Sequence, residues 1–81
     1  MDEKRSFFRQ KTFKGGTISY GIVGGIECVI RNLSKTGACL ELADPVLVPE
    51  NFTLVIKPQL VKRQCTVAWR SVGRIGVRFA S

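Results

Sequence analysis

An all-β fold, a six-stranded antiparallel barrel, is what this chain of 81 residues predicts. Three observations carry the expectation. Short runs rich in Ile, Val, Thr, Phe and Leu recur along the chain. Gly15-Gly16, Gly24-Gly25, Gly37, Gly73, Pro45, Pro49 and Pro58 punctuate them. Several runs alternate apolar and polar residues, the mark of a strand with one buried face. Strands are expected at roughly 12–20, 26–32, 38–43, 52–57, 62–71 and 74–79. Closing the sheet removes exposed edges, so a barrel protects so small a domain best.

Each strand has its own reason. Phe52, Leu54 and Ile56 share a face, opposite Thr53 and Lys57. Cys65, Val67 and Trp69 share another, opposite Gln64, Thr66 and Arg70, so Trp69, whose ring would also suit a stacking platform, is expected in the core. Ile75, Val77 and Phe79 lie opposite Arg74, Gly76 and Arg78. The runs Ile26 to Ile30 and Ala38 to Leu42 flank Asn32-Leu33-Ser34-Lys35-Thr36-Gly37, which reads as a tight polar turn. Arg31 should face away from Asn32 by alternation. No stretch reads as a long helix, and the chain stops two residues after Phe79.

Composition narrows the function. The net charge of +7 points to an anionic partner: a nucleotide, a nucleic acid or an acidic surface. Lys4, Arg5, Arg9, Lys11 and Lys14 lie in the first stretch of the chain. There is no His, which removes the usual general base. No paired carboxylates stand at motif spacing and no phosphate-cradling glycine loop precedes a helix, so an enzyme is not expected. Cys28, Cys39 and Cys65 are far apart and odd in number; they read as three buried thiols, with no metal site and no cofactor. No apolar run is long enough for a membrane helix or a secretory signal, so a cytoplasmic location without membrane insertion is expected.

Arg5-Ser6-Phe7-Phe8-Arg9 precedes the barrel and places two guanidinium groups four residues apart. Arg-x-x-x-Arg followed by Asn-x-Ser-x-x-Gly on a strand-turn-strand resembles the PilZ domain family. The strand Cys65 to Arg70, with Val67-x-Trp69, and the following Gly76-x-x-Phe79 also look like that family's pattern. The resemblance spans nearly the whole chain. It implies a six-stranded barrel that binds cyclic di-GMP, a second messenger with two phosphates and two guanines.

Carried over from the family, Arg5 and Arg9 are the paired ligand-binding arginines, and Asn32, Ser34 and Gly37 are the turn residues. An arginine fork pairs with phosphate oxygens or with guanine O6 and N7, and it can stack on a purine. Asn32 stands where the family often has Asp; both offer an acceptor oxygen. Gly37 supplies turn geometry and close approach. Lys4 is a possible auxiliary contact. Phe7 and Phe8 suit either base stacking or stapling the arm to the barrel. The chain departs from the family in lacking, or nearly lacking, the helix that commonly follows the last strand.

The implied organisation is a flexible basic arm at 1–11 and a barrel at 12–81. The implied function is a cyclic di-GMP receptor whose arm orders on the ligand and signals to a downstream protein partner. Two alternatives stay open: a small basic barrel binding RNA or single-stranded DNA, and a PilZ-like protein-interaction module without ligand binding.

Overall fold

A computed structural model of the chain describes residues 10–21 and 23–80. It is all-β. The strands are β1 (Gln10–Tyr20), β2 (Val23–Leu33), β3 (Gly37–Glu41), β4 (Asn51–Ile56), β5 (Val61–Ser71) and β6 (Arg74–Phe79). All their pairings are antiparallel, and they close into a barrel in the order β1-β2-β3-β6-β5-β4. The helical structure among the described residues is one 3-10 turn, Pro45–Leu47, between β3 and β4. No helix among them is long and apolar enough to cross a membrane.

The core is a belt of aliphatic side chains supplied by the inward face of each strand. Ile18, Ile30, Leu40, Leu54 and Ile75 come from five different strands and are each 0% exposed. Cys65 and Val67 add the contribution of β5. Burying one such aliphatic side chain contributes roughly 1.5–3 kcal/mol, so these residues dominate the stability of a small domain. The alternation expected for Phe52, Leu54 and Ile56 and for Ile75 and Val77 is present.

Besides the two register shifts between β1 and β2, at Lys11/Lys14 and Ile18/Tyr20, alternation fails at two places beside the site, and both failures are β-bulges. On β2, Ile30 pairs with Leu40 but Asn32 pairs with Cys39, leaving Arg31 as the extra residue. Ile30 and Leu33 both pack with the core, so Arg31 and Asn32 lie together on the outer face. The expectation that Arg31 faces away from Asn32 is therefore wrong. On β5, Val67 pairs with Val77 but Trp69 pairs with Gly76, leaving Ala68 extra. Trp69 turns outward and is 49% exposed, which corrects its expected place in the core.

The β5 bulge also changes how the barrel ends are covered. Before it, Arg63 shares the inward phase of Cys65 and Val67. Its guanidinium lies 5.3 Å from the centre of the Phe79 ring, a cation–π distance. After the bulge, Arg70 pairs with inward-facing Ile75. Its Nη1 donates to the Pro45 carbonyl at 2.7 Å, and Nη2 stands 4.0 Å from Glu50. One strand thus sends an arginine to each mouth, Phe79 and the 3-10 turn serving as their seats.

Candidate functional site

The β2–β3 turn is built by one hydroxyl. Ser34 Oγ accepts from the backbone N–H groups of Thr36 and Gly37, both at 3.2 Å. It lies 3.2 Å from the Gly37 carbonyl, to which it donates, and 3.3 Å from Thr36 Oγ1. The Ser34 N–H donates to the Gly37 carbonyl at 2.9 Å. A hydroxyl has one proton and two lone pairs, so that of Ser34 is fully used inside the turn. The Phe79 N–H donates to the Thr36 carbonyl at 2.8 Å and ties the turn to β6.

Gly37 is required for a steric reason. A Cβ there would collide with the Val77 carbonyl of the neighbouring strand. Among the described residues those with a positive φ are Gly21, Leu60 and Gly73, and Gly37 is not one of them. A left-handed conformation at Gly37 is thus not the reason; close backbone approach is.

Beside the turn the registers align one cross-strand row on the outer face: Asn32 with Cys39, Cys39 with Gly76, and Gly76 with Trp69. The two bulges stand at its ends. Bulges increase local twist and re-aim side chains, and here they turn Asn32 and Trp69 to the outer face at the two ends of a row of small residues. A Cβ on Gly76 would strike the Trp69 indole, including Cζ2 at 2.7 Å. The indole therefore lies against the β6 backbone, and Gly76 is buried beneath it. The groove encloses about 470 Å³.

The groove has the chemistry of an anion and aromatic-ring site. Its rim carries Arg74 and Arg78, and among the described residues no carboxylate lines it. Arg74 stands opposite Glu41 in register, but Glu41 accepts from Arg31 at 2.7 Å. Arg78 stands between Gly37 and Thr66. Neither Arg74, Arg78 nor the Asn32 amide has a side-chain partner among the described residues. Cys39 forms part of the floor and is only partly buried, which corrects its reading as a buried thiol. Cys28 and Cys65 are buried, and desolvation pushes their thiols up to about 12 and about 11. Among the described residues no cluster of His, Cys, Asp or Glu could hold a metal.

The fold brings Asn32, Ser34 and Gly37 together at the β2–β3 turn. Arg5, Arg9 and the auxiliary Lys4 lie outside the described residues. Their attachment point does not: Gln10 pairs with Leu33, and Lys11 with Asn32. The first described residue of β1, Gln10, therefore stands at the Asn32 side of the groove. Sequence reasoning weighed Trp69 as a stacking platform but placed it in the core, and it missed Cys39, Arg74 and Arg78 as groove residues. Arg74-x-Gly76-x-Arg78 was a visible signal, since alternate residues of a strand share a face.

No curated relative matches the chain. The family model for the PilZ domain matches residues 3–81. That match covers the Arg-x-x-x-Arg segment, the turn and the β5–β6 pattern together, and the closed barrel agrees with it. The chain belongs to the PilZ domain family, a family of cyclic di-GMP receptors.

Proposed function

We propose that this protein is a cytoplasmic cyclic di-GMP receptor without enzymatic activity, binding its ligand between the N-terminal arm and the groove. The single observation that carries this reading is the pairing of Lys11 with Asn32. It starts the arm beside the polar turn. At no more than about 3.6 Å per residue, Arg9 lies within roughly 4 Å of Gln10 along the chain and Arg5 within roughly 18 Å, a reach that spans the groove.

Each residue then has a role set by what it has free. Arg5 and Arg9 supply bidentate forks for phosphate or the guanine edge. Asn32, whose amide has no side-chain partner among the described residues, takes the guanine edge. Trp69 offers an exposed ring face for base stacking. Ser34, with its hydroxyl committed, acts by holding the turn, and Gly37 by letting the turn approach β6. Lys4 adds charge near the phosphates. Ordering the arm costs about 1–2 kcal/mol per residue without a ligand to hold it, so ligand binding shifts the population towards the ordered arm. A downstream protein partner reads that change.

Isothermal titration with cyclic di-GMP, GMP and cyclic AMP tests the reading. Cyclic di-GMP should bind most tightly. Arg5→Ala or Arg9→Ala should each weaken it roughly tenfold to 150-fold, as expected for losing a charge-assisted hydrogen bond of about 1.5–3 kcal/mol. Wild-type affinity in both variants would sink the arginine assignment. Preference for single-stranded nucleic acid, falling steeply with salt, would replace the reading by a nucleic-acid one.

A further inference from the structure

The arm is not the chain's sole source of arginines for the groove. Arg74, Gly76 and Arg78 occupy successive outward positions of β6, and the Trp69 indole covers the middle one. Arg78 differs from its neighbours in two ways. Its cross-strand neighbours are Gly37 and Thr66, neither of them acidic. It also sits on a strand whose ends are fixed, by the Phe79–Thr36 hydrogen bond on one side and the β5–β6 turn on the other.

We propose that Arg78 is a ligand-contacting residue that takes the phosphate of the nucleotide whose base lies on Trp69, with Gly76 as the residue that positions the platform. The proposal rests on the groove being the nucleotide site argued above. Strand spacing gives the geometry. Two residues along β6 advance about 7 Å, so the backbone of Arg78 stands about 7 Å from the platform over Gly76. A stacked purine and its own 5′ phosphate are separated by one ribose, a comparable span. The guanidinium of Arg78 is exposed at the rim and has no carboxylate beside it among the described residues, so an incoming phosphate displaces no ion pair with any of them. Gly76 acts through the indole. Without a Cβ it lets the ring lie flat on β6, leaving the opposite ring face towards the groove.

Trp69 is the chain's sole tryptophan, so its fluorescence reports on the platform directly. The test titrates the full chain with GMP and with guanosine, which differ by the phosphate alone, and with cyclic di-GMP. Wild type should bind GMP about tenfold more tightly than guanosine, the gain of one charge-assisted contact. Arg78→Ala should erase that difference and leave guanosine binding unchanged, and Arg78→Lys should restore it in part. Gly76→Ala should shift the emission of the free protein and weaken guanosine as much as GMP. A GMP preference that survives in Arg78→Ala overturns the phosphate contact. Unchanged emission and guanosine affinity in Gly76→Ala overturn the positioning role. If Arg78→Ala binds cyclic di-GMP like wild type while Arg5→Ala does not, this inference fails and the receptor reading stands. If wild-type Trp69 responds to none of the three ligands, both fail.

Discussion

The barrel has a regular side and an irregular side, and they do different work. Where β4 meets β1 and the first half of β5, the registers run without a break over Gly16–Ser19 and Asn51–Ile56. Every second residue of β4 is buried. Where β2, β3, β6 and the second half of β5 meet, two bulges interrupt the ladders. Both sides supply core, and the irregular side also supplies the groove. An unbroken ladder makes a smooth convex wall, whereas an extra residue at each edge of a short row re-aims the side chains at its ends.

Breaking the regular side should cost stability first. Leu54→Ala should lose about 2–5 kcal/mol, since Leu54 is 0% exposed and its loss leaves a cavity. Binding by the fraction that remains folded should stay normal. Denaturant unfolding and titration in parallel would check this, and a specific loss of affinity in the folded fraction would contradict the division of labour.

Breaking the irregular side at its tightest point should cost both properties. Gly37→Val forces atoms onto the Val77 carbonyl and should destabilise by about 1–3 kcal/mol or more while abolishing cyclic di-GMP binding. A variant that melts and binds as wild type would refute the close-approach argument.

A milder cut is Ser34→Ala. Two turn N–H groups lose their acceptor, so stability should fall by about 0.5–1.5 kcal/mol and affinity should drop with it. Loss of affinity without any loss of stability would mean that the hydroxyl contacts the ligand directly.

Thiol chemistry gives the finest comparison. Cys39 on the groove floor should react with a thiol reagent and be protected by cyclic di-GMP, while Cys28 and Cys65 should react only on unfolding. The same buried pair predicts an alkaline limit. Burial raises their folded values to about 12 and about 11 from an ordinary 9.0. The unfolded chain sheds these protons first. Their contribution is therefore full below about pH 9 and declines as pH rises towards 11 and 12. Melting temperatures at pH 7 and pH 10 check this, and Cys28→Ala should flatten the fall.

The regular side was legible in the sequence because a buried face and a wet face write themselves as alternation. Phe52, Leu54 and Ile56 needed nothing more, and the strand limits fell within three residues of those observed. The groove was legible only at its turn, where Asn32, Ser34 and Gly37 announce themselves by residue type. Trp69 was misplaced because it has the same parity as Cys65 and Val67. Parity holds only while no residue is inserted, and Ala68 carries no sign that it is one. Arg31 was misplaced by the same mechanism. Ser34 could be read as a ligand contact because its commitment to Thr36 and Gly37 is a matter of distance, which residue type does not encode.

The bulges have a consequence for changes in chain length. Removing one residue from a strand ordinarily swaps inside and outside for everything beyond it, which empties a core. Ala68 is an exception. With it gone, Val67 would still face in, Trp69 out and Arg70 in, because the ladder would simply close over the missing residue. The protein could lose that residue, keep every core contact and keep both arginines at the barrel mouths. It would lose the extra twist that aims the Trp69 indole across Gly76. Strand length at this position is thus free with respect to folding and constrained by the shape of the groove, which makes a single-residue deletion a cleaner probe of the site than most substitutions.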